Sequence, residues 1–134
     1  MSTSNYTLIQ QLLDARLETI STLPTLVKEN TRKVDSKATE TWVRSSLLPT
    51  IPDFTSIGAN GLTEYRGLYQ VSCFVPVGYG PDDGNTLADL IINTFPKGLR
   101  LGQLMIWKAY RVNALIEDNK FTHIPIRIEW SYWS

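Results

Sequence analysis

Two side chains in this sequence could support nucleophilic or acid–base chemistry: Cys73, its one thiol, and His123, its one imidazole. A cysteine acts as a nucleophile when its pKa is lowered and a base stands beside it. Cys73 falls on the apolar side of an alternating run, Tyr65 to Val75, and reads as a small buried hydrophobe. His123 stands next to Ile124 and reads as a strand-surface or edge residue; a lone imidazole cannot build a His-rich metal site. Asp82 and Asp83, between Gly80 and Gly84, offer the oxygens of a calcium loop. The twelve-residue ligand spacing and its closing Glu are missing, so turn formation and helix capping account for them. There is no P-loop, and the glycines do not follow a dinucleotide-binding pattern. Nothing favours a glycosidase-type carboxylate pair. The expectation is a protein that is not an enzyme and takes no cofactor or metal.

A different chemistry is suggested by Lys97, Arg100, Lys108 and Arg111, which occupy a stretch with no acid between Asp89 and Glu117. The plain reading is a solvated basic edge; the functional one is a patch facing an acidic partner or passing DNA. The whole chain balances 13 basic against 13 acidic residues, which argues against autonomous binding to nucleic acid or to a membrane surface. With one cysteine there is no internal disulfide, and a reducing compartment is the simple expectation. The N-terminus is polar and no apolar run approaches the roughly 20 residues of a membrane span, so a protein that enters an assembly from solution is expected. A length of 134 residues suits one domain, 1–134, with a core that needs no staple.

These residues must be positioned by a small set of elements. Tyr6, Ile9, Leu13, Leu17 and Ile20 recur at spacings of three and four and predict a helix, capped by Ser4 and ended at Leu23-Pro24, with Asp14, Arg16 and Glu18 toward water. Leu26 to Val34 is charged and ambiguous. Glu40 to Leu48 predicts a strand, broken by Pro49 and Pro52. Pro49 to Thr63 predicts a long loop, of the kind that is usually functional or mobile; Asp53 and Phe54 within it are candidate interface residues. Tyr65 to Val75 is the clearest strand: Tyr65, Tyr69, Val71, Cys73 and Val75 share one face, and Arg66, Gln70 and Ser72 the other. Pro76 stops it, and a turn-rich loop leads to a helix capped by Asp83 or Asn85, with Leu87, Leu90, Ile91 and Phe95 on its apolar side.

Two further strands, about Gln103 to Ile116 and Lys120 to Tyr132, are joined at Glu117-Asp118-Asn119. A two-residue turn would set Lys108 opposite Glu129 but Arg111 opposite Ile126. A three-residue loop pairs even positions with even, collecting Leu104, Ile106, Tyr110 and Val112 with Ile124, Ile126, Ile128, Trp130 and Tyr132. Register follows the buried face more than one ion pair, so the second pairing is preferred. Pro125 should mark an edge or a bulge. The order of elements predicts an α+β two-layer sandwich: a mainly antiparallel sheet of about four strands packed against two helices.

The run Arg66-Gly67-Leu68-Tyr69-Gln70-Val71 through Phe74-Val75-Pro76, the Gly-rich loop after it and the helical Leu87-Ala88-Asp89-Leu90-Ile91 resemble a family of tail-terminator-like proteins of long-tailed bacteriophages. The N-terminal amphipathic helix and the alternating Ile124 to Ile128 fit the same layout. The resemblance follows the order of elements over most of the chain and about a quarter of its residues. It implies a virion protein of the tail or neck, assembled in the host cytoplasm. Such a protein forms a homo-oligomeric ring, six-fold on the tail, at the head-proximal end of the tail tube. The ring ends tube polymerisation and offers a surface to the head–tail connector or stopper, with DNA passing through its lumen. No catalytic residue is carried over. On that reading Lys97, Arg100, Lys108 and Arg111 are candidates for a lumen or partner-facing surface. Trp133, on the opposite strand face from Trp130, joins Asp53 and Phe54 as a candidate interface residue. Competing expectations are another neck component, such as a head-completion or stopper protein, and a small ligand-binding module.

Overall fold

The structure, a computed structural model, describes residues 5–27, 41–49, 64–76, 82–112, 116–117 and 121–133. Helices α1 (Asn5–Leu17) and α2 (Asp82–Thr94) pack on one face of a sheet built from β1 (Thr25–Val27), β2 (Trp42–Pro49), β3 (Glu64–Pro76), β4 (Arg100–Leu101), β5 (Leu104–Arg111), β6 (Ile116–Glu117) and β7 (Phe121–Trp133). The sheet order is β1-β2-β3-β7-β5-β4, with β6 also paired to β7. Every pairing is antiparallel except β1 with β2. The α+β sandwich is as expected, but among the described residues the sheet has seven strands, not about four. The surplus strands β1, β4 and β6 are two or three residues long, too short to carry a readable period.

Alternation in the long strands sets the core. Tyr69, Val71, Cys73 and Val75 of β3 meet Ile124, Ile126, Ile128 and Trp130 of β7 under the helices, all nearly or fully buried. Ile9, Leu13 and Leu17 of α1 are 0% exposed, each contributing roughly 1.5–3 kcal/mol by leaving water. In α2 the buried stripe is Leu87, Ala88 and Ile91, continued by Phe95 just past its end. Leu90, expected on that stripe, is instead 37% exposed, because the helix rolls to bring the small Ala88 against the sheet. The first turn of α2 comes so close that a Cβ on Gly84 would lie 2.7 Å from Ile124 Cδ1 and 3.3 Å from Val75 Cγ2.

Three local expectations need correction. First, α1 ends at Leu17, not at Leu23-Pro24. The Thr19 hydroxyl donates to the Arg16 carbonyl at 2.6 Å, and the amides of Thr19, Ile20 and Leu23 donate to carbonyls three residues back, so the chain tightens into turns before it reaches Pro24. Ser4, the expected cap, lies outside the described residues. Second, Asp14 does not go to water: it is buried, and the Tyr69 hydroxyl donates to Oδ1 of its carboxylate. A tyrosine in an aliphatic row must satisfy its hydroxyl, and α1 supplies the acceptor. Burial first, and the Asp14 carboxylate second, push the Tyr69 phenol well above its usual range, so it stays protonated. Arg16 is half-buried, and its Nε donates to the Thr94 carbonyl at 2.9 Å, placing a cation at the C-terminus of α2 and locking the helices together. Third, Asn85 does not cap α2 from outside it; α2 begins at Asp82 and Asn85 serves as an acceptor for Arg111.

The pairing of β5 with β7 holds both registers considered above. Leu104 pairs with Tyr132 and Ile106 with Trp130, even with even. Then the strand shifts by one residue at a bulge between Ile106 and Lys108, and Lys108 pairs with Glu129 and Arg111 with Ile126. The bulge keeps Leu104 and Ile106 in the core and turns Lys108 outward, so the buried face and the ion pair are both met. Pro125 sits inside a strand with neighbours on both sides, not at an edge. Its carbonyl accepts from Val112 N at 3.0 Å, so its missing N–H lies on that same side, between the last β5 pair, Arg111 with Ile126, and the first β6 pair, Ile116 with His123.

Candidate interaction surface

Cys73 and His123 are on strands that pair, but alternation sends them to opposite faces of the sheet. Cys73 is 0% exposed on the helix-covered face, and burial pushes its thiol pKa up to about 12. His123 lies on the other face, its ring stacked on Phe74 at 4.7 Å. Burial, and then the charge of Arg44, pull its pKa below the ordinary value. A thiol held protonated and an imidazole on the far side of the sheet do not make a nucleophile and its base. Among the described residues, no three His, Cys, Asp or Glu side chains gather as a metal site, and no helix is long and apolar enough to cross a membrane.

The distinctive surface is the sheet face opposite the helices. One end of it is a small second core: Trp42 and Phe121 are buried, Trp42 stacks on Phe74 with ring centres 4.1 Å apart and planes 10° from parallel, and Phe121 meets Trp42 edge-on. The Arg44 guanidinium lies 5.3 Å from the Trp42 ring centre and 5.7 Å from that of Phe74. In the middle a polar row crosses the strands: Arg127 Nε donates to Gln70 Oε1 at 3.2 Å, and Gln70 Nε2 donates to Ser72 Oγ at 3.0 Å. At the other end is an open groove of about 690 Å³, lined among others by Arg66, Leu68, Lys97, Trp107, Lys108 and Glu129. Trp107 Nε1 donates to Ser131 Oγ at 2.9 Å, which fixes the indole while leaving the residue 43% exposed. Leu48, the register partner of Leu68, is 40% exposed. Leu68 and Trp107 line one groove and Leu48 pairs with Leu68, so apolar surface is gathered there that would gain free energy by leaving water.

The four basic residues named from the sequence lie near one end of the sheet but do not converge. Lys97 and Lys108 share the groove; Lys108 Nζ is 3.3 Å from Glu129 Oε2 and 5.3 Å from the Tyr110 ring centre. Arg100 is exposed on β4. Arg111 turns toward the helix layer, where its Nη1 donates to Asn85 Oδ1 at 2.6 Å. Trp133 ends β7, half-buried, on the opposite face from the buried Trp130. Asp53 and Phe54, with nearly all of the Pro49 to Thr63 loop, lie outside the described residues. Sequence reasoning misses Trp107 and Leu48. The signal for Trp107 is a Trp beside a Lys in a strand whose two sides cannot both be apolar.

The family model described as phage tail terminator protein matches residues 8–130, spanning α1 to β7. A solved structure of a protein whose name states no activity matches with a TM-score of 0.64 at 20% identity, over 92% of this chain and 94% of that one, a likeness of fold. Among curated proteins, none matches the sequence.

Proposed function

The chain belongs to the phage tail terminator family, and from that premise we propose that it is the ring protein that ends the tail tube. Membership supports a structural role in the phage tail and a place in the virion. The finer reading is that copies of the chain close into a ring, six-fold on the tail, at the head-proximal end of the tube. There the ring stops addition of further tube subunits and presents a surface to the head–tail connector. Assembly takes place in the host cytoplasm, and DNA passes through the lumen without being held.

The observation that carries this reading is the family match, which spans the helices and every long strand. The structure is compatible in two respects. Its chemistry-bearing residues, Cys73 and His123, are used for packing. Its two broad faces also differ, one covered by helices and the other a sheet surface with exposed Leu48 and Trp107. A cyclic ring needs two dissimilar, complementary surfaces on each subunit.

The test is tail length in particles made without the protein. Over-long tubes that shorten to normal on adding it back support termination. Tubes of normal length that fail only to join heads would assign the chain to another neck component. Binding of the purified protein to isolated tubes and not to filled heads separates the same two outcomes.

A further inference from the structure

Three large apolar side chains stand exposed among the described residues: Leu48, Leu90 and Trp107. Two are on the sheet face opposite the helices and the third is on the solvent side of α2, across the molecule. Their electrostatic settings also differ. Helix α2 has the sequence DDGNTLADLIINT, with three acidic residues and no basic one. Asp82 and Asp89 are seven residues apart and exposed, so both sit on its outer side, and Asp89 adjoins Leu90. Asp89 has no ion-pair partner among the described residues. In the groove, Arg66 is held by Glu64 and Lys108 by Glu129, which leaves the charge of Lys97 in surplus.

We propose that the solvent side of α2 on one copy of this chain docks in the groove at one end of the other sheet face of the next copy. Leu90 packs against Trp107 and Leu68, and Asp89 faces Lys97 and Lys108. The contact joins two different surfaces, so it is head-to-tail and can propagate around a closed ring. A thirteen-residue helix is about 20 Å long, enough to lie across several strands and to anchor an interface of the roughly 1,200–2,000 Å² that stable association needs. Lys108 changes partners only in part, since its ammonium can serve Glu129 and a second carboxylate together. This inference rests on the ring reading and names the contact that closes the ring.

The experiment uses two purified variants of the full chain. The helix variant carries Asp89→Lys with Leu90→Lys; the sheet variant carries Lys97→Glu with Trp107→Glu. All four positions are exposed, and circular dichroism melting checks that both variants remain folded. Each variant alone should associate at least about tenfold more weakly than the parent in sedimentation velocity, as expected for a lost apolar anchor and a charge reversal. Mixed together they should recover association, because each retains the surface the other lacks. Assembled rings of parent protein, made from ¹⁴N and ¹⁵N chains on tail tubes and treated with a carbodiimide, should yield mixed-isotope peptides joining Asp89 to Lys97 or Lys108. Rings that form normally from either variant, or parent rings with no such cross-link, overturn the contact and leave the ring reading standing. A parent that forms no ring in solution or on tubes overturns both.

Discussion

Replacing Tyr69 by Phe tests how the helix layer is fastened to the sheet. Tyr69 is 0% exposed and Asp14 6%, and their hydrogen bond joins α1 to β3 across 55 residues of sequence. Removing the hydroxyl adds no bulk and leaves no sizeable cavity, so the cost is that of leaving a buried carboxylate one donor short. Such a loss is worth about 2–3 kcal/mol, toward the upper end for a charged acceptor. Unfolding entropy of about 2.1 cal/mol/K per residue, over 134 residues, converts this into a fall in Tm of about 7–11 °C. Differential scanning calorimetry at neutral pH measures it. The double replacement, Tyr69→Phe with Asp14→Leu, removes donor and acceptor together and should recover part of the loss, giving a non-additive cycle. A Tm within about 2 °C of the parent for Tyr69→Phe alone, or strictly additive losses, would show that the bond contributes nothing net and that packing alone holds α1 in place.

Other consequences are open to direct measurement. Burial holds Cys73 protonated, so at pH 8 a thiol reagent should label it only after denaturation; rapid labelling of the folded protein would refute its placement. Because the folded pKa values of Cys73 and Tyr69 are raised, the folded state keeps protons that the unfolded chain releases, and stability present below about pH 9 should be lost as pH rises beyond it. His123 has the opposite sign: its folded pKa is lowered, so stability present above about pH 6.5 should decline as pH falls. His123→Phe, which can keep the stack on Phe74, should flatten that acid limb in a series of melts, and an unchanged limb would assign it to other groups. Deleting Trp107 removes the extra residue of the bulge and forces either Leu104 and Ile106 or Lys108 onto the wrong face, whereas Trp107→Ala loses one side-chain hydrogen bond worth about 0.5–1.5 kcal/mol. Comparable melting of the two would mean that the register shift is unimportant.

The parts of this fold that can be read from the sequence are those in which one periodicity dominates. β3 shows it: its alternation alone sorts Val71, Cys73 and Val75 from Arg66 and Gln70. In β5 and β7 two demands compete. The apolar positions ask for one register and the Lys108–Glu129 pair for the other, and a bulge at Trp107 satisfies both. A uniform pairing cannot express that, because an inserted residue is a three-dimensional device. Asp14 escapes the helical pattern for a different reason. It borders the buried Leu13 and Leu17, but a carboxylate beside an apolar stripe reads as turned to water, and the partner that accounts for its burial, Tyr69, is brought there only by the tertiary fold. The interaction surface is the least legible. The basic stretch is visible as composition, yet the fold splits it, sending Lys108 into the groove and Arg111 toward Asn85. Exposure of Leu90 turns on the roll of α2 toward Ala88, which a helical stripe does not fix.

The central position of β7 bears on how the molecule is made. This strand is translated after all its neighbours, yet it separates the β1-β2-β3 group from β5 and β4. A nascent chain halted before Phe121 therefore holds two strand groups with no hydrogen-bonded ladder between them, and a helix layer with only part of its floor. Closure over such a separation is slow relative to local hairpin formation. The groove, lined in part by Glu129 and Trp130, comes into being only when this last insertion occurs, so the docking surface proposed above is incomplete until the whole of β7 has been made.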